Sequence, residues 1–517
     1  MASALDFSAG LLLGLCTLAC QEAPRADVAN AEQQLARGVE LFERHCALCH
    51  GDLGLGDGPA AHLLFPPARD FSSGRFRLVS TENGAATNAD LVSTLRRGMP
   101  GSAMPSFAWM AEDDLLGLAR HVRRLALEGL ALSLEEQADE SGRELDSAAA
   151  RQLAERFLEP GAPIATAARA PAEALERGRA LYAAHCAKCH GADGGGTEKI
   201  QWTEDGELDW ARDFTAGVMK GGTSRAELTR RIRTGMPGTS MPALRLTDAA
   251  DEAALVAFVQ TLIPPQAETA LVHRRQTLHV RRVAGVVPAA PADPRWDGAE
   301  EIAVVLAPLF WQRKAVTFAT IRALHDGADI AVRVTWQDAT QDDRTHMAEF
   351  SDGVALQFSA ALDPPLFGMG SREHPVNLWH WKSFRLADVA GWLDLLEHPP
   401  HGGDEPLGCV GVIDAPVYLP APDDPSITSE SDSVVAEGFH SVPLFGVEAL
   451  PTRTVPRWEN GVWQVVMLRS LAPRAEGEVD LRPGATLQLA CAVWNGALAD
   501  HGGQKSISIW QRLIVDP

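Results

Sequence analysis

The chain has 517 residues, a net charge of -22 and an isoelectric point of about 5.2. This length predicts several domains rather than one core, and the negative charge argues against nucleic acid and favours a basic or neutral partner. No run of about 18 apolar residues is present, which argues against a membrane-spanning helix.

The first 22 residues resemble an export leader. AGLLLGLCTLA, residues 9 to 19, has the length of a signal-peptide apolar core. Cys20 follows it in an order that resembles the lipid-attachment signal of bacterial lipoproteins, although Thr17 and the lack of Lys or Arg in the first ten residues depart from that pattern. We therefore expect a signal or lipoprotein leader at 1 to 22, and a periplasmic protein or one on the outer face of a membrane, with lipid on Cys20 as one outcome. The alternative is a disordered apolar N terminus.

Four of the eight cysteines lie in two C-x-x-C-H motifs, the attachment signature of c-type haem. Two thiols one helical turn apart reach the two vinyl groups of one porphyrin, and the adjacent histidine presents a ring nitrogen to the iron. The predicted attachment residues and proximal ligands are Cys46, Cys49, His50, Cys186, Cys189 and His190.

Both motifs belong to a longer repeat. LARGVELFERHCALCHGDLGLGDG (35 to 58) is similar to LERGRALYAAHCAKCHGADGGGTE (175 to 198), and LRRGMPGSAMPSF (95 to 107) is similar to IRTGMPGTSMPAL (232 to 244). Apolar residues at helical spacing accompany each copy. We predict one helical module at 31 to 130 and a second at 171 to 265. Separate modules argue against zinc, which would need two ligand pairs converging in space.

Each module offers two methionines as a sixth iron ligand. A thioether suits electron transfer at raised potential, and the choices are Met104 or Met99 in the first copy and Met241 or Met236 in the second. The arrangement resembles class I cytochrome c domains, and this resemblance favours Met104 and Met241. Alternatively, the methionines are core filler. A dihaem enzyme with one open iron is the weaker interpretation.

Two boundaries divide the chain further. Residues 131 to 170 predict a helical linker that keeps the two modules apart, and Pro264-Pro265 begins a second boundary. Alternating apolar residues then predict an antiparallel β-sandwich at 275 to 517. Its predicted strands include ADIAVRVTW, GVALQF, GVWQVVML, ATLQLACAV and SISIWQRLIV. The predicted fold class is therefore multidomain, with two all-α cytochrome c modules followed by an antiparallel β-sandwich.

A series of segments occurs in order in this last region: HVRRVAG, WDGAE, HDGADIAVRVTWQDAT, FSDGVALQFS, GMG with PVNLWHWK, and AVWNGALADHGGQKSISIW. Together they resemble the haem b-binding gamma subunits of ethylbenzene dehydrogenase and related type II molybdenum enzymes of the dimethyl sulfoxide reductase superfamily. The resemblance implies a haem b whose iron is held by one Met and one Lys, at Met369 and Lys505.

The residues give a separate reason to consider Lys505. On a strand it shares a side with Ile507 and Ile509, which predicts an amine directed toward the buried layer. Burial favours the neutral amine, the form with a lone pair for iron. The alternative is an edge-strand lysine that prevents aggregation. Rival ligands are His374, Lys382 and, as runner-up, His380, whereas Trp379 and Trp381 are predicted to pack.

Three smaller features complete the predictions. FRLADVAGWLDLL predicts a short helix, and residues 402 to 455 look like an acidic, Ser/Pro-rich surface-loop insertion. Cys409 and Cys491 could form a disulfide in an exported protein.

These features predict an exported electron-transfer subunit with two covalent haem c groups and one non-covalent haem b. Its partners would be a molybdopterin catalytic subunit, an iron-sulfur subunit and a soluble or membrane electron carrier; the cofactors would perform the redox step. The alternative is a dihaem cytochrome c fused to a carbohydrate- or ligand-binding β-sandwich without a third haem.

Overall fold

A computed structural model describes residues 25–197, 201–202, 208–265, 267, 271–343, 349–365, 369–383, 429–438 and 450–517. The predicted leader with Cys20, the predicted helix at 384–396, and Cys409 lie outside these residues. None of the helices within the described ranges combines the length and the hydropathy that a bilayer crossing requires.

The first module is helical. Its two longest helices cross where Gly38 meets Gly117, and a Cβ on Gly38 would lie 2.1 Å from the Gly117 carbonyl oxygen. Only glycine permits this approach, which brings Phe42 and Leu118 into one core. The helices of this region are α1 (Arg25–His45), α2 (Ala47–His50), α3 (Asn88–Arg97), α4 (Glu112–Glu140) and α5 (Ser147–Leu158).

The second module repeats this construction. A Cβ on Gly178 would lie 2.2 Å from the Ala254 carbonyl oxygen, so the same kind of glycine contact joins its first and last helices. The helices are α6 (Leu175–His185), α7 (Ala187–His190), α8 (Arg225–Thr234) and α9 (Ala249–Leu262). A short antiparallel pair, β1 (Gln201–Trp202) and β2 (Leu208–Asp209), makes the all-α prediction wrong in this detail.

The segment between the modules does not hold them apart. It folds back onto the first module, where the Asn83 side-chain amide donates to the Glu159 carbonyl oxygen at 2.9 Å. Arg231 of the second module then donates to the Arg77 and Val79 carbonyl oxygens of the first, each at 2.8 Å. The prediction that residues 131 to 170 separate the modules is therefore wrong, because the linker packs along one module and lets the other dock.

The C-terminal β domain is one mixed sheet that closes on itself. Its strands are β3 (Thr277–Arg282), β4 (Glu301–Pro308), β5 (Phe318–His325), β6 (Asp329–Gln337), β7 (Gly353–Ser359), β8 (Val376–Lys382), β9 (Ser429–Ala436), β10 (Leu450–Glu459), β11 (Val462–Ser470), β12 (Thr486–Trp494), β13 (Ser506–Ser508) and β14 (Gln511–Val515). Their order is β13-β4-β5-β3-β14-β12-β7-β8-β9-β10-β11-β6, and β6 pairs again with β5. The antiparallel prediction is wrong for β3, which runs parallel to both β14 and β5.

Part of the predicted surface insertion is also strand. Residues 429–436 and 450–455 contribute to β9 and β10, which pair with each other. Polar residues are accepted in β9 because their hydroxyls have partners: Ser433 donates to Glu478 at 2.8 Å, and Ser431 hydrogen-bonds Thr454. The Ser-rich composition therefore misled the prediction of a loop at these positions.

Alternation correctly identifies the inner side of the closed sheet. Ile330, Val354 and Leu487 lead three strands whose alternate apolar residues all reach one buried core. Trp379 and Trp381 belong to the same core and are fully buried, which confirms that they pack. The opposite side of β13, β12, β7, β8 and β9 is called the outer face below.

Replacing Arg231 by Ala is expected to weaken the docking of the two modules. The change leaves the Arg77 and Val79 carbonyl oxygens without their donor, at a cost of about 1–3 kcal/mol. Thermal unfolding should show a lower midpoint than for Arg230→Ala, because Arg230 pairs with Glu227 on its own helix. Equal midpoints for the two variants would contradict the docking role.

Candidate functional site

The histidines of both C-x-x-C-H motifs are oriented by the same backbone contact. His50 Nδ1 lies 2.9 Å from the Arg69 carbonyl oxygen, and His190 Nδ1 lies 3.0 Å from that of Arg212. Since a carbonyl only accepts, each Nδ1 carries the proton and each Nε2 keeps its lone pair for a metal. Burial lowers the pKa of both imidazoles, which favours this neutral form.

A four-residue repeat, Ala-Arg-Asp-Phe, builds this contact twice, at 68–71 and 211–214. Phe71 stacks on His50 with ring centroids 4.6 Å apart, and Phe214 stacks on His190 at 4.4 Å. The aspartate in each copy accepts from the backbone two residues later and fixes the turn. The sequence interpretation missed these residues, although the identical tetrapeptides were visible in it.

A deep apolar cleft opens beside the first motif. Its lining is mainly apolar, as expected for a site that holds a large organic cofactor. Cys46, Cys49 and His50 line it together with Met99 and Met104. Residues 99–104 form a loop, called the methionine loop below. The Met99 amide closes it by donating to the Met104 carbonyl oxygen at 3.0 Å. Met104 also packs on the module core. The first module therefore fits a haem with either methionine available.

The second module has the corresponding loop. The Met236 amide donates to the Met241 carbonyl oxygen at 3.1 Å, as in the first copy. Cys186 packs against the module core, and so does Met219, which the sequence interpretation did not consider. The duplicated histidine contact, phenylalanine and methionine loop make this module suitable for a second haem.

The arginines that orient the histidines also join the modules. The Arg212 side chain donates to the Gly101 carbonyl oxygen at 3.1 Å, within the methionine loop of the first module. Reciprocally, Arg69 lies against Gly238 in the loop of the second module, and a Cβ there would be 2.3 Å from Arg69 Nη1. Gly101 and Gly238 both have positive φ, near 70°. Each loop therefore requires glycine for its turn and for the arginine beside it.

Four cations gather at this contact. Arg69 and Arg77 come from the first module, and Arg212 and Lys220 from the second; Asp209 lies among them. Burial, with repulsion from Arg212 and Arg77, holds the pKa of Lys220 well below its usual range. Burial also lowers the pKa of Arg212 to about 10. Such a cluster requires anionic partners.

The β domain completes a three-way junction. The Phe65 amide of the first module donates to the Leu309 carbonyl oxygen at 2.9 Å. The ring centroids of Trp311 and of Trp210 in the second module are 5.5 Å apart, and the Arg212 guanidinium lies over the Trp311 ring. Both are direct contacts. The Leu309 amide in turn donates to the Lys505 carbonyl oxygen at 2.8 Å. Residues 309–311 thus touch both modules and Lys505.

Lys505 does not point into the closed sheet. Ser506 lies opposite Val493 and shares its inward side, whereas Ile507 lies opposite Ala492 on the outer face. The amine of Lys505 sits 4.8 Å from the ring centroid of Trp494, also on the outer face. The predicted direction was therefore wrong, since serines occupy the inner positions of β13. The outer face is nevertheless covered, and burial lowers the Lys505 pKa to about 8.

Met369 approaches the other end of this face. It packs with Val376, Ala436, Trp510 and Ala490. Ala490 and Trp494 are four residues apart, about 13 Å along the strand. Between the two ends, the outer-face positions of β7 and β12 include four small residues. They are Gly353, Ala355, Ala490 and Ala492.

The rival ligands are distributed differently. His380 lies on the outer face opposite Ala355, with its ring 4.9 Å from that of Trp494. Lys382 is on the same face at the end of β8, opposite Gly353. His374 is exposed in the turn after Met369. The amine of Lys505 makes no hydrogen bond or ion pair with any residue in the described ranges. The structure thus keeps His380 as a rival and makes His374 a poor one.

The Met369 turn faces the first motif. A cavity of about 660 Å³ lies between them, lined by Ala47, Gly51, Gly370 and Ser371 among others. Beside it, Asp363 of the β domain is 3.1 Å from Arg44 and 3.4 Å from His45 of the first module, and 3.0 Å from Arg275. Asp363 therefore fixes the β domain next to Cys46.

Comparisons with known families match the two helical modules to one family and the β domain to another. Residues 35–126 and 175–262 match the cytochrome c family. Residues 295–399 and 448–506 match the ethylbenzene dehydrogenase family.

Three relatives resemble parts of the chain. The putative respiratory nitrate reductase heme subunit ORF7 of Haloferax mediterranei is 25% identical over 36% of this chain and 51% of its own length. Dimethylsulfide dehydrogenase subunit gamma of Rhodovulum sulfidophilum is 28% identical over 34% of this chain and 52% of its own. Chlorate reductase subunit gamma of Ideonella dechloratans is 23% identical over 47% and 87%. The chain thus spans about half the length of the first two.

Asp363→Asn is expected to loosen the β domain from the first module. His45, Arg275 and Arg44 hold the pKa of Asp363 well below its usual range, so its stabilisation is present above the unfolded pKa near 4 and is lost as pH falls further. The variant should lose about 1 kcal/mol of unfolding free energy at pH 7 and little at low pH.

Denaturant unfolding at several pH values measures this difference. Asp114→Asn is the matched control, because Asp114 pairs with Arg37 inside the first module. Limited proteolysis gives a second readout of the contact between the β domain and the first module. A rate of cleavage between them that rises equally in both variants would contradict the role of Asp363.

Proposed function

Because this chain combines two cytochrome c domains with a domain of ethylbenzene dehydrogenase type, we propose that it is a tri-haem electron-transfer subunit. The observation that carries the proposal is the junction at residues 309–311, which contact both modules and Lys505. Bound haem would supply reversible one-electron chemistry, and the chain would supply ligands, burial and distance. The three relatives, named as heme or gamma subunits, support this role.

The two modules would each hold one covalent haem c. Cys46 with Cys49, and Cys186 with Cys189, provide the thioethers, while His50 and His190 are the proximal ligands. Met104 and Met241 are the proposed distal ligands. Support comes from the Nδ1 contacts, which leave Nε2 of both histidines available, and from the cleft that Met104 and His50 both line.

The buried cations at the module contact would bind the haem propionates. Two haems bring four carboxylates, whereas Asp209 is the carboxylate that acts on Arg77, Arg212 and Lys220 in the described ranges. Arg77 and Lys220 occupy corresponding positions after the repeated tetrapeptide, so each module contributes one buried cation of this kind. Propionates there would relieve the mutual repulsion and place the two haems on either side of one interface.

The outer face of the β domain would bind one non-covalent haem b. Met369 and Lys505 approach from opposite ends, and the small residues of β7 and β12 between them would accommodate a flat macrocycle. Lys505 is suited to bind iron because its amine is desolvated and has no competing acceptor among the described residues. His380 is the alternative ligand on the same face.

The positions of the sites suggest contacts for electron transfer. The Met369 turn lies across a cavity from the first motif, and the first module contacts the second through their methionine loops. We infer that the β domain exchanges electrons with the two modules across these contacts, since it touches both of them at residues 309–311. The direction is set by the potentials of the haems and their partners.

We also propose partners and a location. The chain would exchange electrons with a molybdopterin catalytic subunit through an iron-sulfur subunit, and with a soluble or membrane carrier, and it would perform no substrate chemistry itself. The gamma-subunit names of two relatives support membership in an enzyme complex. A periplasmic or outer-face location, with a lipid on Cys20 as one form, follows from the leader-like sequence.

Lys505→Ala is expected to remove or alter the non-covalent haem. Acid acetone should extract one haem from the wild-type chain and leave two attached, as measured by pyridine haemochrome spectra of both fractions. The variant should yield less than one tenth of the extractable haem or a changed haem b spectrum, because one axial bond is lost. Lys382→Ala is the control on the same face.

An empty acetone fraction from the wild-type chain would refute the tri-haem proposal and favour a sandwich that binds another ligand. An unchanged haem b spectrum in Lys505→Ala, with a changed one in His380→Ala, would move the ligand to His380.

Met104→Ala is expected to abolish the sulfur-to-iron charge-transfer absorption of one haem c, whereas Met99→Ala should retain it. The pair is matched because both side chains line the same cleft. Carbon monoxide should bind the ferrous Met104→Ala protein, since that iron gains an open position, and should not bind the wild type. Carbon monoxide binding to the wild type would instead favour an enzyme with an open iron.

A further inference from the structure

Three aspartates form an acidic cluster at one rim of the β domain, two of them buried and Asp342 half-buried. Asp338 and Asp342 follow β6, and Asp352 precedes β7. One carboxylate oxygen from each lies within 4.8 Å of the others. Asp338 is 3% exposed and Asp352 fully buried. In the described ranges, none of the three forms an ion pair with Lys, Arg or His.

One oxygen of the cluster is buried without a well-aligned hydrogen bond. Asp338 Oδ2 is shielded from water and forms no well-aligned hydrogen bond among the described residues, although the Trp336 side chain lies near the Asp338 carboxyl. A buried carboxylate oxygen in this condition is costly. Since Asp338 contributes one of the three converging oxygens, a ligand at the centre of the cluster would lie within reach of its carboxylate.

The other two carboxylates are held in place by neutral donors. Asp352 accepts from the Gly496 amide at 2.8 Å, the Asp342 amide at 2.8 Å and Trp463 Nε1 at 2.9 Å. Asp342 accepts from the Thr340 hydroxyl at 2.7 Å. These bonds orient the carboxylates but bring no positive charge, so the mutual repulsion is not removed.

We propose that Asp338, Asp342 and Asp352 bind one calcium ion. Calcium prefers carboxylate and other oxygen ligands and accepts irregular geometry. Zinc would favour sulfur or nitrogen ligands, which the described part of the cluster lacks. Magnesium demands near-ideal octahedral geometry and keeps most of its waters, and it fits a site with three protein carboxylates less well.

The ion would also fix the turn that leads to Lys505. Asp352 holds the Gly496 amide, and Asp500 accepts from the Asn495 amide at 3.1 Å. Trp494 Nε1 donates to the Gly502 carbonyl oxygen at 3.1 Å. The segment 495–505 is thus tied to the acidic rim at one end and carries Lys505 at the other. Its link to haem b rests on the function proposed above, whereas calcium binding does not.

The test uses the full-length haem-loaded chain, stripped with a chelator and titrated with calcium chloride by isothermal calorimetry. We expect one bound calcium per chain and a melting temperature about 5 °C higher with saturating calcium. Magnesium at the same concentration should not reproduce the shift. Hydrogen exchange at 495–505 should slow several-fold when calcium is added.

Asp338→Asn should lose the binding heat and the temperature shift. Asp480→Asn, a change at an exposed aspartate paired with Arg482, should keep both. Absence of calcium binding in the stripped wild type, or binding that persists in Asp338→Asn, would overturn the site. If Asp338→Asn does not fold, the chelation and readdition series on the wild type decides alone. Haem content is scored separately, so failure of the calcium site and failure of the haem b assignment remain distinguishable.

Discussion

The double use of Arg69 and Arg212 is the constraint on which the arrangement of the modules depends. The backbone of each arginine accepts the Nδ1 proton of the motif histidine in its own module, and its side chain lies against the methionine loop of the other. Histidine orientation and module docking are therefore set by the same residues. Any rotation of one module relative to the other would disturb both methionine loops at once. Gly101 and Gly238 are needed in these loops because a side chain at either position would collide with the arginine of the other module.

The β domain separates stability from function by using its two sides differently. Its interior is filled by large side chains such as Trp336, Trp463 and Trp381, which are almost fully buried. Its outer face carries alanine and glycine between Met369 and Lys505. Because the interior fixes the strands, residues just beyond the strand ends can be held in place without themselves filling the core. A site built beside a rigid sheet keeps its ligands at defined positions.

The sequence allowed the modules to be predicted, because the motifs and methionine loops recur as long similar blocks. The Ala-Arg-Asp-Phe repeat escaped notice since it is short and lies between those blocks. Alternation revealed the inner residues of β6, β7 and β12, where the apolar set faces the core. In a strand without a clear apolar set, alternation shows which residues share a side but not which side faces the core. Ser506 and Ser508 point inward, so Lys505 was assigned to the wrong side. The parallel pairing of β3 depends on strands remote in sequence, which local patterns do not encode.

Buried charge is sorted by sign, and this sorting has a physical consequence. Cations collect where the modules meet, while carboxylates collect at the rim of the β domain. The two clusters belong to different parts of the fold, so neither neutralises the other. Within the described residues Asp209 is a single carboxylate among several cations at the first cluster, and the second has no cation paired with it. Haem propionates at the first and a calcium ion at the second would meet these opposite needs, and each would stabilise the part of the fold that it binds.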